Sequence, residues 1–390
     1  MRIGIDATCW ANPRGYGRFT RHMLTALLEL DRENDYIFFL DSLAARAPDI
    51  PVSAKQVIIE LSESPIQAAS ADGRRGIGDM IRMGRAVSAQ NLDVFFFPSV
   101  YTYFPVWGRF RKIVAIHDVI AEKYPELIFK SWQNRLFWNL KTWLAIRQSD
   151  RVLTVSQFSK QGIVEHFGLP DSRVGVVTEG SADSFGPVDD RSRIDSALVA
   201  HGLAPDARYI LYVGGIAPHK NLSVLARAFS QLIAQPGYAD VRLVLVGDFE
   251  NDVFLIDERL KSNMNNPQFR GKVIFTGFVA DDDLNCLYNG AQVFVLPSFC
   301  EGYGLPALEA MACGTVVIGS DTTSVPEVVG DAGLFFDPHN AGQLEMHLRE
   351  LLDDDELRAR LGRRSLERAA TFSWEQSARD TLAIFTAAAR

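Results

Sequence analysis

The densest run of residues able to do chemistry is PSFCEGYGLPALEAMACG, residues 297–314, which follows the strand-like QVFVL. Glu301 falls in a glycine-bearing loop and Glu309 eight positions later, inside a stretch whose Pro306 suits the first turn of a helix. The glycines ahead of Pro306 bare the backbone. Carboxylates accept hydrogen bonds from neighbouring hydroxyls, so the pair suits a ribose at one end and a sugar at the other. A hydrolase with paired carboxylates is the competing reading, but nothing else in the sequence has the look of a glycosidase barrel.

A second run, YVGGIAPHKNL, sets two glycines after a strand and brings His219 and Lys220 to the start of a helix. A lysine beside exposed backbone N–H groups outlines a diphosphate cradle; the plain alternative is a surface lysine. A third, IVAIHDVI, places His117 and Asp118 at the carboxyl edge of a strand, where ligand groups gather in α/β sheets. A structural histidine explains that position equally well. Near the start, Asp6 ends a strand and PRGYGRFTRHML opens a helix, with Gly15 and Gly17 permitting close backbone approach to an anion. The spacing is not G-x-G-x-x-G, because Thr20 holds the third position, so a dinucleotide site is not indicated and a simple glycine turn fits as well.

Short apolar strands alternating with helical patterns must position these groups. The pattern predicts strands at 2–6, 36–40, 57–61, 93–97, 112–117, 151–155 and 174–178, then at 209–214, 241–247, 272–276, 292–296, 315–319 and 333–336. Most are continuous β-branched or aromatic runs, as in parallel strands buried on both faces. Helical stretches at 17–28, 132–147, 221–233, 306–312 and 374–389 complete repeated βαβ units, hence a doubly wound α/β fold. The last carries Leu382, Phe385 and Ala389 on one side. The pattern restarts after TEGSADSFGPVD, a linker-like composition. The expected domains are 1–182, completed by the helix 374–390, and 183–373. Acidic runs at Asp281–Asp283 and Asp353–Asp355 each precede an apolar-periodic stretch and read as helix caps rather than metal ligands.

The chain has 390 residues, 47% of them hydrophobic and 23% charged, which excludes a disordered protein and suits two domains. No apolar run approaches the ~20 residues of a membrane span, and the opening MRIGIDATCW lacks the layout of a signal peptide. Cys9, Cys286, Cys300 and Cys313 form neither a disulfide framework nor a C-x-x-C pair, which points to a reducing cytoplasm and no zinc. The net charge of −8 is divided unevenly: +3 over residues 1–182 and −11 over the rest, with 12 basic against 5 acidic residues from Arg74 to Arg147. The first half suits an anionic membrane surface or a phosphorylated acceptor, or is merely an uneven solvated face.

Together these segments resemble glycosyltransferase family 4 over nearly the whole chain. The resemblance rests on RIGIDA with GYGR, the His117–Asp118 pair, SQFSKQGI, YVGG with HKNL, EGYGLPALEAMACG and SVPEVVGDAGLFFDP. It implies the GT-B fold, two facing Rossmann-like domains with a central cleft. It also implies transfer of a hexose from a nucleotide sugar, GDP- or UDP-linked, with retention and without a metal or other cofactor. Carried onto this chain, Glu309 would bind the ribose hydroxyls, Glu301 the donor sugar and Lys220 the diphosphate. Gly17, Gly215, His219, Gly302, Tyr303, Gly304 and Leu305 would complete the donor side. His117, Asp118, Lys220 and Glu301 would be the reacting centre, with Gly15, Tyr16 and Arg18 toward the acceptor. The pattern looks most like mannosyl- and rhamnosyltransferases of bacterial surface polysaccharides, with a glycan or lipid-diphosphate-linked glycan as acceptor and no nucleic acid partner. One departure stands out: the family usually has an arginine before the diphosphate lysine, and here the loop reads GGIAPHK. His219, or a first-half arginine such as Arg18, would have to supply that charge, unless the diphosphate is held more loosely. A nucleotide-sugar epimerase, a phosphorylase and a non-catalytic sugar-binding protein are the competing functions on the same fold.

The stretch IFKSWQNRLFWNLKTWLAIR mixes aromatic and basic residues, with Trp132, Leu136, Leu140 and Trp143 in a stripe at helical spacing. Such a stripe is usually core; with Lys130, Arg135, Lys141 and Arg147 beside it, it also suits peripheral attachment to the anionic inner face of the cell membrane.

Overall fold

The computed structural model describes residues 1–12, 15–65, 76–129, 131–247 and 267–390. Pro13 and Arg14 of the opening glycine motif, Arg74 at the head of the basic region and Lys130 of the aromatic stretch lie outside the described residues.

The chain divides into two compact units, residues 1–179 with 373–390, and residues 180–372. The first holds a seven-stranded sheet: β1 (Arg2–Asp6), β2 (Asp35–Asp41), β3 (Lys55–Ile59), β4 (Val94–Phe97), β5 (Arg111–Ala115), β6 (Arg151–Thr154) and β7 (Val174–Val176). Its spatial order is β3-β2-β1-β4-β5-β6-β7, all parallel, with Ile3 opposite Tyr36 on one side and Val94 on the other. The second holds β8 (Tyr209–Val213), β9 (Arg242–Val246), β10 (Val273–Gly277), β11 (Val293–Leu296), β12 (Val317–Ser320) and β13 (Leu334–Phe336), in the order β10-β9-β8-β11-β12-β13. Both sheets therefore repeat the 3-2-1-4-5-6 Rossmann order. Each expected strand is present, shifted by three residues or fewer at either end.

The sheets form because their strands have apolar neighbours on both faces. Every residue of β4 (VFFF) and of β11 (VFVL) is buried. In the first unit Phe95 stands edge-on to Phe39 and Phe97, and Phe97 to Phe104, with ring centroids 4.8–5.6 Å apart. In the second, the helix Leu222–Ile233 buries Val224, Leu225, Phe229 and Leu232 on Leu243 and Leu245 of β9, beside Leu344 and Leu348 of the helix Ala341–Asp353.

The helix Trp374–Ala389 returns to the first unit and packs along the helix Gly15–Leu30. Trp374 meets Phe19 and stacks on His22, and Phe385 lies 5.2 Å from Phe96 of β4. Its buried face is Trp374, Ala378, Thr381, Phe385 and Ala388; Ala389, expected on that face, is exposed. The acidic runs do open helices. Asp281–Asp283 occupy the first turn of Asp281–Gly290, and Asp354 accepts from the Leu357 N–H at 2.8 Å. All four cysteines are buried, and none is in a disulfide. Among the described residues no helix is long and apolar enough to cross a membrane.

Candidate active site

In the second unit the strand order reverses between β8 and β11, so their following loops diverge and leave a crevice at the carboxyl ends. Those two loops bring Lys220 and Glu301 together. After β8 the chain turns at Gly214, whose φ of +151° and 2.8 Å clearance from a built Cβ to the Tyr212 hydroxyl suit only glycine. The same hydroxyl donates to the Gly215 carbonyl at 2.9 Å. A single 3-10 turn, Pro218–Lys220, ends at Asn221 in the left-handed region with φ +52°. The buried Asn221 amide donates to the Pro297 carbonyl at 3.0 Å and the Pro338 carbonyl at 2.8 Å. That fastens the lysine loop to the loop after β11, and the Phe299 N–H to His219 carbonyl bond of 2.8 Å fastens it again.

Lys220 Nζ then lies 2.9 Å from both carboxylate oxygens of Glu301. The Ser298 hydroxyl donates to Glu301 Oε1 at 2.5 Å, and Thr323, itself left-handed at φ +63°, accepts the Glu301 N–H at 3.2 Å. Burial pushes the Glu301 carboxyl up, but the Lys220 ammonium and the Ser298 hydroxyl outweigh it and hold the group below its ordinary 4.5. The site thus favours the charged carboxylate beside Lys220.

Gly304, at φ +106°, starts the helix Leu305–Ala312 with Pro306 in its first turn. Glu309 is buried in this helix and accepts from the Tyr288 hydroxyl at 3.1 Å. Tyr303 turns its ring inward, 6.4 Å from Phe372, and its carbonyl, like that of Glu301, accepts from Ser324 Oγ, which pins the Glu301–Gly302–Tyr303 backbone. Three buried polar atoms have no hydrogen-bond partner in these loops or at the strand end beside them: His219 Nδ1, Ser320 Oγ and Thr322 Oγ1. Orphaned buried groups are uncommon in folded proteins, and these three lie together at one sheet edge.

Of the open alternatives for the missing arginine charge, His219 is the one this structure disfavours. Burial, reinforced by the adjacent Lys220 ammonium, drives its imidazole down to about 4, so the ring is neutral at neutral pH.

In the first unit the order reverses between β1 and β4. His117 follows β5, its ring edge-on to Phe19 at 4.8 Å. Its Nε2 donates to the Pro98 carbonyl at 2.9 Å, and its Nδ1 lies 3.8 Å from Glu179. Burial alone would push the imidazole down, but Glu179, the Pro98 carbonyl and Asp118 hold it above its ordinary 6.5. Asp118 accepts from the Ile120 N–H at 2.9 Å and so opens the single turn Ile120–Lys123. At Gly17 a Cβ would lie 2.0 Å from the Asn12 carbonyl, so the chain itself requires a glycine there. Gly15 sits in open space, Tyr16 stacks on Tyr101 at 5.2 Å, and Arg18 lies half-buried in the first turns of the same helix.

Sequence reasoning missed Ser298, Asn221, Thr323, Tyr288 and Glu179. Asn221 carried a signal, an asparagine just before a helix. Glu179 carried none, lying in the linker-like TEGSADSFGPVD. Among the described residues no three His, Cys, Asp or Glu side chains converge on a metal-sized site.

Two parallel-sheet Rossmann-like units with these loops define a protein of the GT-B fold. Over 99% of its length the chain superposes on sucrose-phosphate synthase from Thermosynechococcus elongatus, with a TM-score of 0.76, 20% identity and 98% of that chain covered. It also superposes over 98% of its length on Anabaena Alr3699/HepE in complex with UDP-glucose, with a TM-score of 0.72, 16% identity and 99% coverage. The family model Glycosyltransferase Family 4 matches residues 13–180, and Glycosyl transferases group 1 matches residues 195–368. O-antigen chain mannosyltransferase B of Escherichia coli is 34% identical over 278 residues, 70% of this chain and 69% of that protein. Serotype-specific mannosyltransferase WbdA of Escherichia coli is 31% identical over 277 residues, 71% of this chain, which spans only 33% of that longer protein. The chain belongs to glycosyltransferase family 4.

Proposed function

We propose that this chain is a retaining, metal-independent hexosyltransferase. It moves mannose from GDP-mannose to a glycan or lipid-diphosphate-linked glycan during cell-surface polysaccharide synthesis. The observation that carries this reading is the convergence of Lys220 and Glu301, 2.9 Å apart, at the reversal point of the second sheet, with Glu309 buried in the helix that begins beside them. The mannosyltransferase relatives support the choice of sugar.

Glu309 takes the ribose hydroxyls, Glu301 a hydroxyl of the hexose, and Lys220 the diphosphate. As the bond from the anomeric carbon to phosphate oxygen lengthens, negative charge grows on the diphosphate. Lys220 and the N-terminus of the helix Leu305–Ala312 place positive potential there. The acceptor oxygen bonds to the anomeric carbon on the face the diphosphate leaves. Its proton passes to the departing phosphate oxygen, and a nucleoside diphosphate is released. A covalently trapped sugar on the enzyme would contradict this route.

The test is a panel of nucleotide sugars scored by thermal stabilisation and then by product anomeric configuration. A donor at ~100 times its Kd adds about 2.7 kcal/mol to stability, a clear rise in melting temperature. GDP-mannose is expected to give the largest rise. A larger rise with UDP-glucose would reassign the donor, turnover of nucleotide sugar without acceptor would indicate an epimerase, and no rise with any nucleotide would remove the proposal.

A further inference from the structure

The helix Trp132–Gln148 is apolar on two faces. One face, with Trp138, Thr142, Ala145 and Ile146, is buried against the first unit. The helix is anchored there: Ser131 caps its start by accepting the Asn134 N–H at 3.3 Å, and Trp138 Nε1 donates to Glu122 at 2.7 Å. At its far end Gln148 Oε1 accepts from the Tyr103 hydroxyl at 2.9 Å and the Val106 N–H at 3.3 Å. The opposite face is exposed. Trp132 is 72% exposed, Leu136 58%, Leu140 51% and Trp143 57%. These are positions i, i+4, i+8 and i+11, one continuous line along about 16 Å of helix at 1.5 Å per residue. Phe137 widens it. The stripe expected to be core is therefore surface, on a helix that already has its core face filled.

The charge on this face selects its occupant. Between Trp132 and Gln148 there are three basic residues, Arg135, Lys141 and Arg147, and no acidic one. Arg147 falls within the exposed stripe and Arg135 at its margin. The segment that Gln148 holds continues into exposed Trp107 and Arg109, and then into Arg111 of β5, which pairs with Asp150 at 3.0 Å. A second copy docking here about a two-fold axis would set the helix arginines against their own images, and the helix itself carries no carboxylate to answer them. A bilayer carrying anionic headgroups answers both features: aromatic rings enter the headgroup boundary and guanidiniums meet phosphates.

We infer that the outer face of Trp132–Gln148 is a docking surface for an anionic lipid bilayer. The inference is independent of which sugar the enzyme moves. It is tested by co-sedimentation of the full chain with vesicles of phosphatidylcholine alone and with added phosphatidylglycerol, at low and high salt, without nucleotide. The expected result is binding to the phosphatidylglycerol vesicles, weakened by salt, with a blue shift of tryptophan fluorescence. The double variant Trp132→Ser/Trp143→Ser should bind about tenfold more weakly or worse. Arg135→Gln/Arg147→Gln should weaken binding by roughly fivefold per charge and lose the preference for the anionic lipid. Both pairs are at the surface, so an unchanged melting temperature verifies that each variant is folded. Absence of vesicle binding, binding indifferent to lipid charge, or double variants that bind like the parent would overturn the inference. So would a parent dimer in sedimentation velocity that the tryptophan variant abolishes, because the face would then belong to a second copy.

Discussion

The two Rossmann-like units place a cation and a glutamate at corresponding sheet edges, but the pairs differ in kind. In the second unit Lys220 and Glu301 are bound through both carboxylate oxygens, with Ser298 adding a third bond. In the first, His117 stands 3.8 Å from Glu179, and its second ring nitrogen bonds a carbonyl. Glu301 is held below its ordinary 4.5 by the lysine pair, whereas the His117 imidazole is held above its ordinary 6.5 by Glu179 and the Pro98 carbonyl. One scaffold thus presents a doubly bonded lysine–glutamate pair in one unit and a longer histidine–glutamate contact in the other.

The strongest way to break this contrast is Lys220→Ala. Loss of the cation should lower turnover by ~10²-fold or more at every pH tested, in steady-state kinetics with saturating donor. A near-normal rate would mean that another cation serves the diphosphate. Next is Glu309→Ala, which should weaken donor binding about tenfold or more in calorimetry, since it removes a charged acceptor for two hydroxyls. Equal affinity would detach Glu309 from the ribose.

Two smaller effects sharpen the first-unit half. Glu122 is half-buried there, with one oxygen on Trp138 and the other unpartnered; desolvation lifts its carboxyl to about 7 from an ordinary 4.5. A raised carboxyl loses stability as pH climbs from 4.5 through 7, so Glu122→Gln should stabilise the protein by roughly 2 kcal/mol above pH 7 and hardly at all at pH 4.5, by denaturant titration. The raised His117 contributes fully below 6.5 and loses its contribution as pH rises through its folded value. Glu179→Gln should flatten that decline, a change of about 1 kcal/mol or less in the same titration. Glu301 runs the opposite way: its contribution stands above 4.5 and fades only in acid.

The strands and the main site loop were legible in the sequence because their signals are local. β-branched runs such as VFVL bounded by glycine and proline report a buried parallel strand without knowledge of its neighbours. Glu301 and Glu309 were legible because glycines, a proline and two carboxylates occur within one turn-and-helix. What was not legible depends on distant partners. No local feature of PHKN tells that Asn221 turns left-handed to tie together Pro297 and Pro338, or that Lys220 reaches Glu301 eighty-one positions away. His219 beside a lysine looked like added charge, and only burial shows it neutral. The 132–143 stripe is apolar in either setting, so its periodicity reports a face but not what covers it. Gly17 was marked as a place of close backbone approach, and the Asn12 carbonyl is one group that comes that close.

The return of residues 373–390 to the first unit has a consequence for biosynthesis. Phe385 closes over Phe96 and Trp374 over Phe19, and Ser377 hydrogen-bonds the Thr178 carbonyl beyond β7. The portion translated earliest must therefore wait, with part of its apolar interior uncovered, until the ribosome has delivered the whole second unit and the helix after it. The half made first is completed last, and a nascent chain stopped at residue 372 would carry a finished second unit beside an unfinished first one.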